Sequence, residues 1–306
     1  MLTYIGRRIA LMIPSLFGVT VVVFGIMQMI PGDPAVYILG DQASEEAVQA
    51  LRRRMGLDRP LLEQYVAWVI GILRGDFGVS YRDASPVLPV LLGRFPATLE
   101  LMLASMVLAL GLGIPVGVLS AVHRNSVIDT VSRVFALAGH ATPTFWRALM
   151  LILLFAFYVP IFPPSGRNGL ASIVLPAIAL GSSMAGVIMR LTRSSVLEVL
   201  SDDYVRTARA KGLRERVVVY RHALRNALLP VATIIGIQVG NLLGGSVVTE
   251  TVFAWPGIGR YAYLAMMQRD YTTVMGSLFL FSLIYMVINL LTDLSYGWLD
   301  PRVRYG

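Results

Sequence analysis

The stretch "DDYVRTARAKGLRERVVVYRHALRNALLPV", Asp202–Val231, has the pattern of two helices broken at a glycine, and apolar sequence flanks it on both sides. Asp202 or Asp203 is suited to N-cap a helix through "YVRTARAK", because a short carboxylate accepts from the free N–H groups of a first turn. Gly212 then ends that helix. A second helix, "ERVVVYRHALRNALLP", runs on into the next apolar run. Two readings fit such an insert. It is a rigid knob that passes a push from a partner to the rest of the chain, or it is an ordinary basic loop lying on anionic lipid.

The chain around it decides the setting. Of 306 residues, 56% are hydrophobic and only 14% charged, and the mean hydropathy is +0.68. Soluble domains are about one quarter charged, so the composition is that of an all-α integral membrane protein. A helix needs about 20 apolar residues to cross the hydrocarbon. Five uncharged runs meet that length: Ile9–Ile30, Leu101–Val122, Leu170–Met189, Ala227–Thr249 and Thr272–Thr292. A sixth, Val134–Val159, is long enough but contains Arg147. The first run follows Gly6-Arg7-Arg8 as a signal peptide would. It exceeds the apolar core of about 7–15 residues expected there and leads into "PGDPA", not a small-x-small cleavage site. It is therefore expected to be an uncleaved span.

Basic residues collect on the cytoplasmic side of membrane proteins, and this tests the sixth run. With six spans, residues 190–225 lie inside and hold nine basic against four acidic residues. The 123–133 loop with Arg124 and Arg133, the N-terminus with Arg7 and Arg8, and the tail with Arg302 and Arg304 fall on the same side. Five spans would put the nine-residue cluster outside. Six spans with both termini cytoplasmic is the expectation. Segment 31–97 is then outside despite seven Arg; loops longer than about 60 residues translocate largely regardless of charge. Within it, Glu45–Met55 is expected to form a helix closed by Gly56. Pro60 starts another, with Leu61, Tyr65, Trp68 and Ile72 on one face. This segment is expected to be a small ordered domain capping the spans, with docking of a ligand or partner as the alternative.

Much chemistry is excluded. The chain has no Cys, so it has no disulfide and no thiolate ligand or nucleophile. His123, His140 and His222 are far apart, without an H-E-x-x-H pair. There is no G-x-S-x-G turn. A nucleotide-binding P-loop needs Gly-Lys-Ser/Thr, and the sole Lys, Lys211, is followed by Gly212 and Leu213. No catalytic residue, metal or cofactor is expected here, and any ATP with its Mg would be bound by partners. Nucleic-acid binding is not expected of a basic segment tethered at both ends to spans. The remaining classes are half of an ATP-driven transporter, an ATP-independent six-span channel or secondary carrier, and, more distantly, a membrane enzyme.

The insert resembles the cytoplasmic "EAA" loop of ATP-binding-cassette importer permeases, in the variant of the dipeptide/oligopeptide/nickel subfamily. Gly212 holds the glycine place, Arg206-Thr207-Ala208 the E-A-A place and His222-Ala223-Leu224-Arg225 the I-x-L-P place. Arg206 for Glu and Arg225 for Pro depart from the general pattern towards the peptide-permease variant. "MIPGDPA", "MGLDRPLLEQY", "GDFGVSY", "ETVFAWPGIGRY", "RDYTTVMGS" and the terminal "LDPRVRYG" are similar to this subfamily and occur in its order. The likeness leans to the first of the two permeases in dipeptide- and glutathione-type importers. It implies the type I importer fold in a bacterial or archaeal cytoplasmic membrane. It also implies a second homologous permease completing the pore, two ATPase subunits beneath and a solute-binding protein outside. The cargo would be a dipeptide, oligopeptide or glutathione-like solute. Arg206, Thr207, Ala208, Arg209, Ala210, Lys211, Gly212 and Leu213 would then couple to the ATPases.

The implied organisation is a first span within 1–30, an extracytoplasmic domain over 31–97, and a core permease domain over 98–306 with its coupling loop at 191–226. Inside the spans, Gln28, Gln238 and Asn241 are candidates either to line a pore or to hydrogen-bond between helices. Arg147 is expensive in hydrocarbon. Either it lines the path and attracts a substrate carboxylate, or it pairs with an acid or snorkels to an interface. Pro143, four residues earlier, is expected to kink its helix.

Overall fold

The computed structural model describes residues 2–30, 32–40 and 42–299. The tail with Arg302 and Arg304, and the rest of "LDPRVRYG" after Leu299, lie outside the described residues. The elements are α1 (Leu2–Met29), α2 (Pro34–Leu39), α3 (Glu45–Met55), α4 (Leu61–Leu73), α5 (Val87–Val122), α6 (Val127–Ala141), α7 (Thr144–Ile152), α8 (Ala171–Val199), α9 (Asp203–Ala210), α10 (Glu215–Val217), α11 (Leu224–Val252), α12 (Ile258–Met267) and α13 (Tyr271–Leu299). One π-helical turn, Leu153–Tyr158, extends α7, and another, Val218–Ala223, joins α10 to α11. Among the described residues five helices are long and apolar enough to cross a membrane, or six if the bent pair Val127–Ala141 and Thr144–Tyr158 counts as one. Each of the five uncharged runs falls on one of these five helices. The chain divides into two units, Met1–Thr98 with Pro256–Val287 and Leu99–Trp255 with Ile288–Gly306.

In the first unit, aromatic rings join α1 to α4. Phe24 lies 5.5 Å from Tyr65 and 6.2 Å from Trp68, centroid to centroid, and the Tyr65 hydroxyl meets Thr20 Oγ1 at 2.8 Å. Ile72 is buried with Phe77, Val87, Leu91, Ile258 and Leu280. The face predicted for α4 is therefore correct at Tyr65, Trp68 and Ile72, but Leu61 is exposed. It is the first residue of the helix. Pro60 is the N-cap and not a helical residue. Ser44 caps α3, which Gly56 closes in the left-handed conformation as expected. Asp33 caps α2 through Ala35 N–H at 2.9 Å and also pairs with Arg52 of α3.

The second unit is built around α8, the most buried of its helices. Its Gly181 and Gly186 lie so close to the backbone carbonyls of Ser105 and Ala136 that a Cβ would collide with them. Absent side chains let α5 and α6 approach α8 to backbone distance, the packing mode that substitutes for a hydrophobic drive in lipid.

The run Val134–Val159 departs from a single crossing helix. It is two helices bent by 107°, and the cause is Pro143. A residue before proline is pushed to extended angles, and Thr142 has φ −78 and ψ 127. Its N–H and hydroxyl both turn back to the Ala138 carbonyl, at 3.1 and 2.6 Å, and finish α6.

Candidate functional site

The segment around Gly212 folds into a small knob. Asp202 takes the N-cap position of α9 with extended angles, but its side chain makes no capping bond, so that part of the expectation holds in position only. Three residues apart, Val205 and Ala208 face inward and pack with Val218 in a shared core. Each Val buried in this way contributes about 1.5–3 kcal/mol. Gly212 has φ +76 and nothing within 4 Å of where a Cβ would lie. The demand for glycine is thus the backbone angle and not the space.

Arg209 closes the knob over the glycine turn. Its guanidinium forks onto the Glu215 carboxylate at 2.7 and 3.1 Å, and that bond raises the Arg209 pKa further above its usual value. On the far side, Asn226 Nδ2 donates to the Tyr204 hydroxyl at 2.8 Å, tying α9 to the start of α11. Arg206, Thr207, Arg209, Ala210, Lys211, Gly212 and Leu213 are all exposed. Ala208, expected with them, is buried. It shapes the knob from inside, because a two-turn helix with one packed face turns every third or fourth residue inward.

Asn241 Nδ2 donates to Gln238 Oε1 at 2.8 Å, one turn apart on α11. Gln28 lies exposed on α1 in the first unit. Arg147, half-buried, donates from Nε to the Ala179 carbonyl at 3.0 Å and from Nη1 to the carbonyls of Gly139 and Thr142 at 2.5 and 3.3 Å. Among the described residues no acid pairs with it. It ties the end of α6, where carbonyls lack helical partners, to α8 across the 107° bend.

A site missed in the sequence is Asp129, fully buried on α6. Its carboxylate accepts from Arg193 Nε and Nη2 at 2.7 and 2.8 Å. It also accepts from Ser120 Oγ at 2.7 Å and Asn125 N–H at 3.0 Å. One acid thus fastens α5, the turn after it, α6 and α8. The signal was present: Ser126-Val127-Ile128-Asp129 is a Ser-x-x-acid capping pattern ahead of an apolar run, and Ser126 Oγ does accept from Asp129 N–H. Among the described residues no group of three or more His, Asp or Glu could hold a metal ion.

A multi-pass helical protein with a two-helix knob inserted between long apolar helices has the architecture of a transporter's membrane subunit. The chain belongs to the family described as binding-protein-dependent transport system inner membrane component, whose profile matches residues 113–305, with its N-terminal companion matching residues 1–102. It is a permease subunit of an ABC importer, not an ATPase. It is 42% identical over 337 residues to the dipeptide transport system permease protein DppB of Escherichia coli, covering all of this chain and 99% of that one. It is 41% identical over 305 residues to the glutathione transport system permease protein GsiC of the same species, covering 100% of both. Among solved structures, a chain of an inward-facing crystal form of the MetNI methionine ABC transporter superposes with TM-score 0.58. The identity is 20%, over 70% of this chain and 98% of that one. That likeness is one of fold, the type I ABC permease fold.

Proposed function

We propose that this chain forms half of the translocation pore of a short-peptide importer in the cytoplasmic membrane of a bacterium or archaeon. The observation that carries the reading is the end-to-end identity of 41–42% with permeases named for dipeptides and for glutathione. Both solutes are short peptides. In this reading a second homologous permease completes the pore, two ATPase subunits bind ATP and Mg, and a solute-binding protein delivers peptide from outside. Six spans place both termini and loop 191–226 in the cytoplasm, with 31–97 as an extracytoplasmic domain and 98–306 as the core. The bent pair α6–α7 then serves as the third crossing.

The exposed knob residues Arg206, Thr207, Arg209, Ala210, Lys211, Gly212 and Leu213 are the docking surface for an ATPase. The core behind them and the Arg209–Glu215 fork make the knob stiff enough to transmit movement. Gln238, Asn241 and Gln28 are pore-lining candidates. Arg147 is assigned to holding the bend, since its Nε and Nη1 are engaged with carbonyls, while its Nη2 is buried without a hydrogen-bond partner among the described residues.

The test is uptake of labelled alanylalanine into vesicles holding the full importer, with glutathione as competitor. Uptake that needs both ATP and the binding protein is expected. Uptake that persists without ATP would overturn the reading in favour of an ATP-independent carrier. The chain has no native Cys, so Ser201→Cys reports topology directly. An impermeant thiol reagent added outside should leave it unlabelled, and labelling would sink the six-span arrangement.

A further inference from the structure

Three sequence motifs have no part in the knob: "PGDPA" after α1, "GDFGVSY" after α4 and "RDYTT" ahead of α13. Residues in the last two motifs or within two positions of one of the three line a cavity of about 390 Å³ in the first unit, among them Tyr37, Tyr81, Arg82, Gln268, Arg269 and Asp270. The construction is specific. Asp33 caps α2 and so fixes the helix that carries Tyr37. Gly32 has φ +120, and a Cβ there would collide with Arg269 Nη1. The glycine lets the guanidinium pass the turn and lie 5.5 Å from the centre of the Tyr37 ring.

Asp270 is buried, and neutral donors fill it. It accepts from the Ser80 and Thr273 hydroxyls, each at 2.7 Å, and from the Tyr81 and Thr273 N–H groups, each at 3.3 Å. Arg82 is its opposite. Its backbone N–H is held by Ser80 Oγ at 3.2 Å, but among the described residues its guanidinium has neither an acid nor a hydrogen-bond acceptor. Arg82 thus brings to the lining a positive charge that the already solvated Asp270 carboxylate does not pair. Burial, with the nearby Asp270 charge, raises the Tyr81 pKa, so that phenol stays a neutral donor.

We propose that this cavity binds a small carboxylate-bearing solute, which on the reading above is the C-terminus of a short peptide. The volume falls within the range of about 300–1,000 Å³ usual for small-molecule sites. An unpaired guanidinium presents the planar fork that matches a carboxylate, and the tyrosine rings offer apolar cover for the adjoining side chain. A concave site of this size suits a solute better than the broad, flat contact of a docked protein.

Saturation-transfer NMR on the purified permease–ATPase complex, without the binding protein, tests this with N-acetylalanine, N-acetylalaninamide and alanylalanine as probes. The two acids should bind, and the amide should bind roughly tenfold more weakly or worse, the usual range for losing a charge-assisted hydrogen bond. Arg82→Gln should bring the acids down to the level of the amide, and Arg82→Lys should recover part of the difference. Equal binding of acid and amide, or acid binding indifferent to Arg82→Gln, overturns the proposal. So does an Arg82→Gln variant that keeps carboxylate binding and instead loses its hold on the solute-binding protein, since the cavity would then be a protein-docking patch. N-acetylalanine needs no peptide transport to report. If it binds in an importer that carries no alanylalanine, the carboxylate site is supported and only the peptide reading falls; if alanylalanine is carried and neither acid binds, only this proposal falls.

Discussion

Removing the Asp129 carboxylate should be among the most damaging single changes in the chain. Asp129→Ala would leave the Arg193 guanidinium without its two bonds of 2.7 and 2.8 Å, and Ser120 Oγ and the Asn125 N–H without theirs. Breaking one side of a buried pair costs about 3–5 kcal/mol, because the remaining charge stays desolvated. The Arg193 side chain retains 20% of its exposure and the Asp129 side chain none. The lower end, about 3 kcal/mol, is therefore expected for Asp129→Ala. Arg193→Ala should cost about as much or more, since the fully buried anion would keep its neutral donors, Ser120 Oγ and the Asn125 N–H, but only Arg133 Nε, at 3.7 Å, as a counter-charge. The assay is equilibrium unfolding of the purified protein in mixed SDS micelles, run as a double-mutant cycle. Asp129→Ala combined with Arg193→Ala should be well short of the sum of the two single changes, with a coupling of at least about 1.5 kcal/mol in line with contacting residues. Additive losses, or a single loss under about 1 kcal/mol, would refute the claim that this acid fastens α5, α6 and α8.

Arg147→Ala removes the donors to three carbonyls at the bend. At about 0.6–1.7 kcal/mol for each interhelical bond in a membrane, it should destabilise the protein by about 2–5 kcal/mol and lower the yield of assembled complex. Arg147→Lys should restore about one bond. A normally assembled Ala variant that had lost transport would return this residue to the pore. Gly212→Val places a β-branched residue at φ +76, at a cost of at least about 1–2 kcal/mol. It should insert normally but fail to capture the ATPase in pull-downs, while Gly212→Asn, tolerant of that region, keeps capture. Wild-type capture and uptake in Gly212→Val would remove the docking role.

The sequence by itself determined the class of this protein and its local punctuation. Five uncharged runs of twenty residues or more can only be satisfied in lipid as helices, and each is one here. Gly212 and Gly56 announced helix ends because a positive φ is a demand that neighbours a few residues away create. Insert residues 202–231 could be read as a knob for the same reason: caps and turns are written in adjacent residues. What escaped was decided by contacts distant in sequence. Arg147 read as a costly charge needing an acid or a pore, because nothing nearby reveals that the bend at Pro143 turns three carbonyls, one of them 32 residues away, towards it. Ala208 read as part of a docking motif, and only its packing on Val218 turned it inward. Asp129 finds Arg193 64 residues on, and Asp270 finds the Ser80 hydroxyl and the Tyr81 N–H almost 190 residues back. Local backbone chemistry is carried by the residues that express it, but which buried charge meets which partner depends on how the helices pack, and that belongs to the tertiary structure alone.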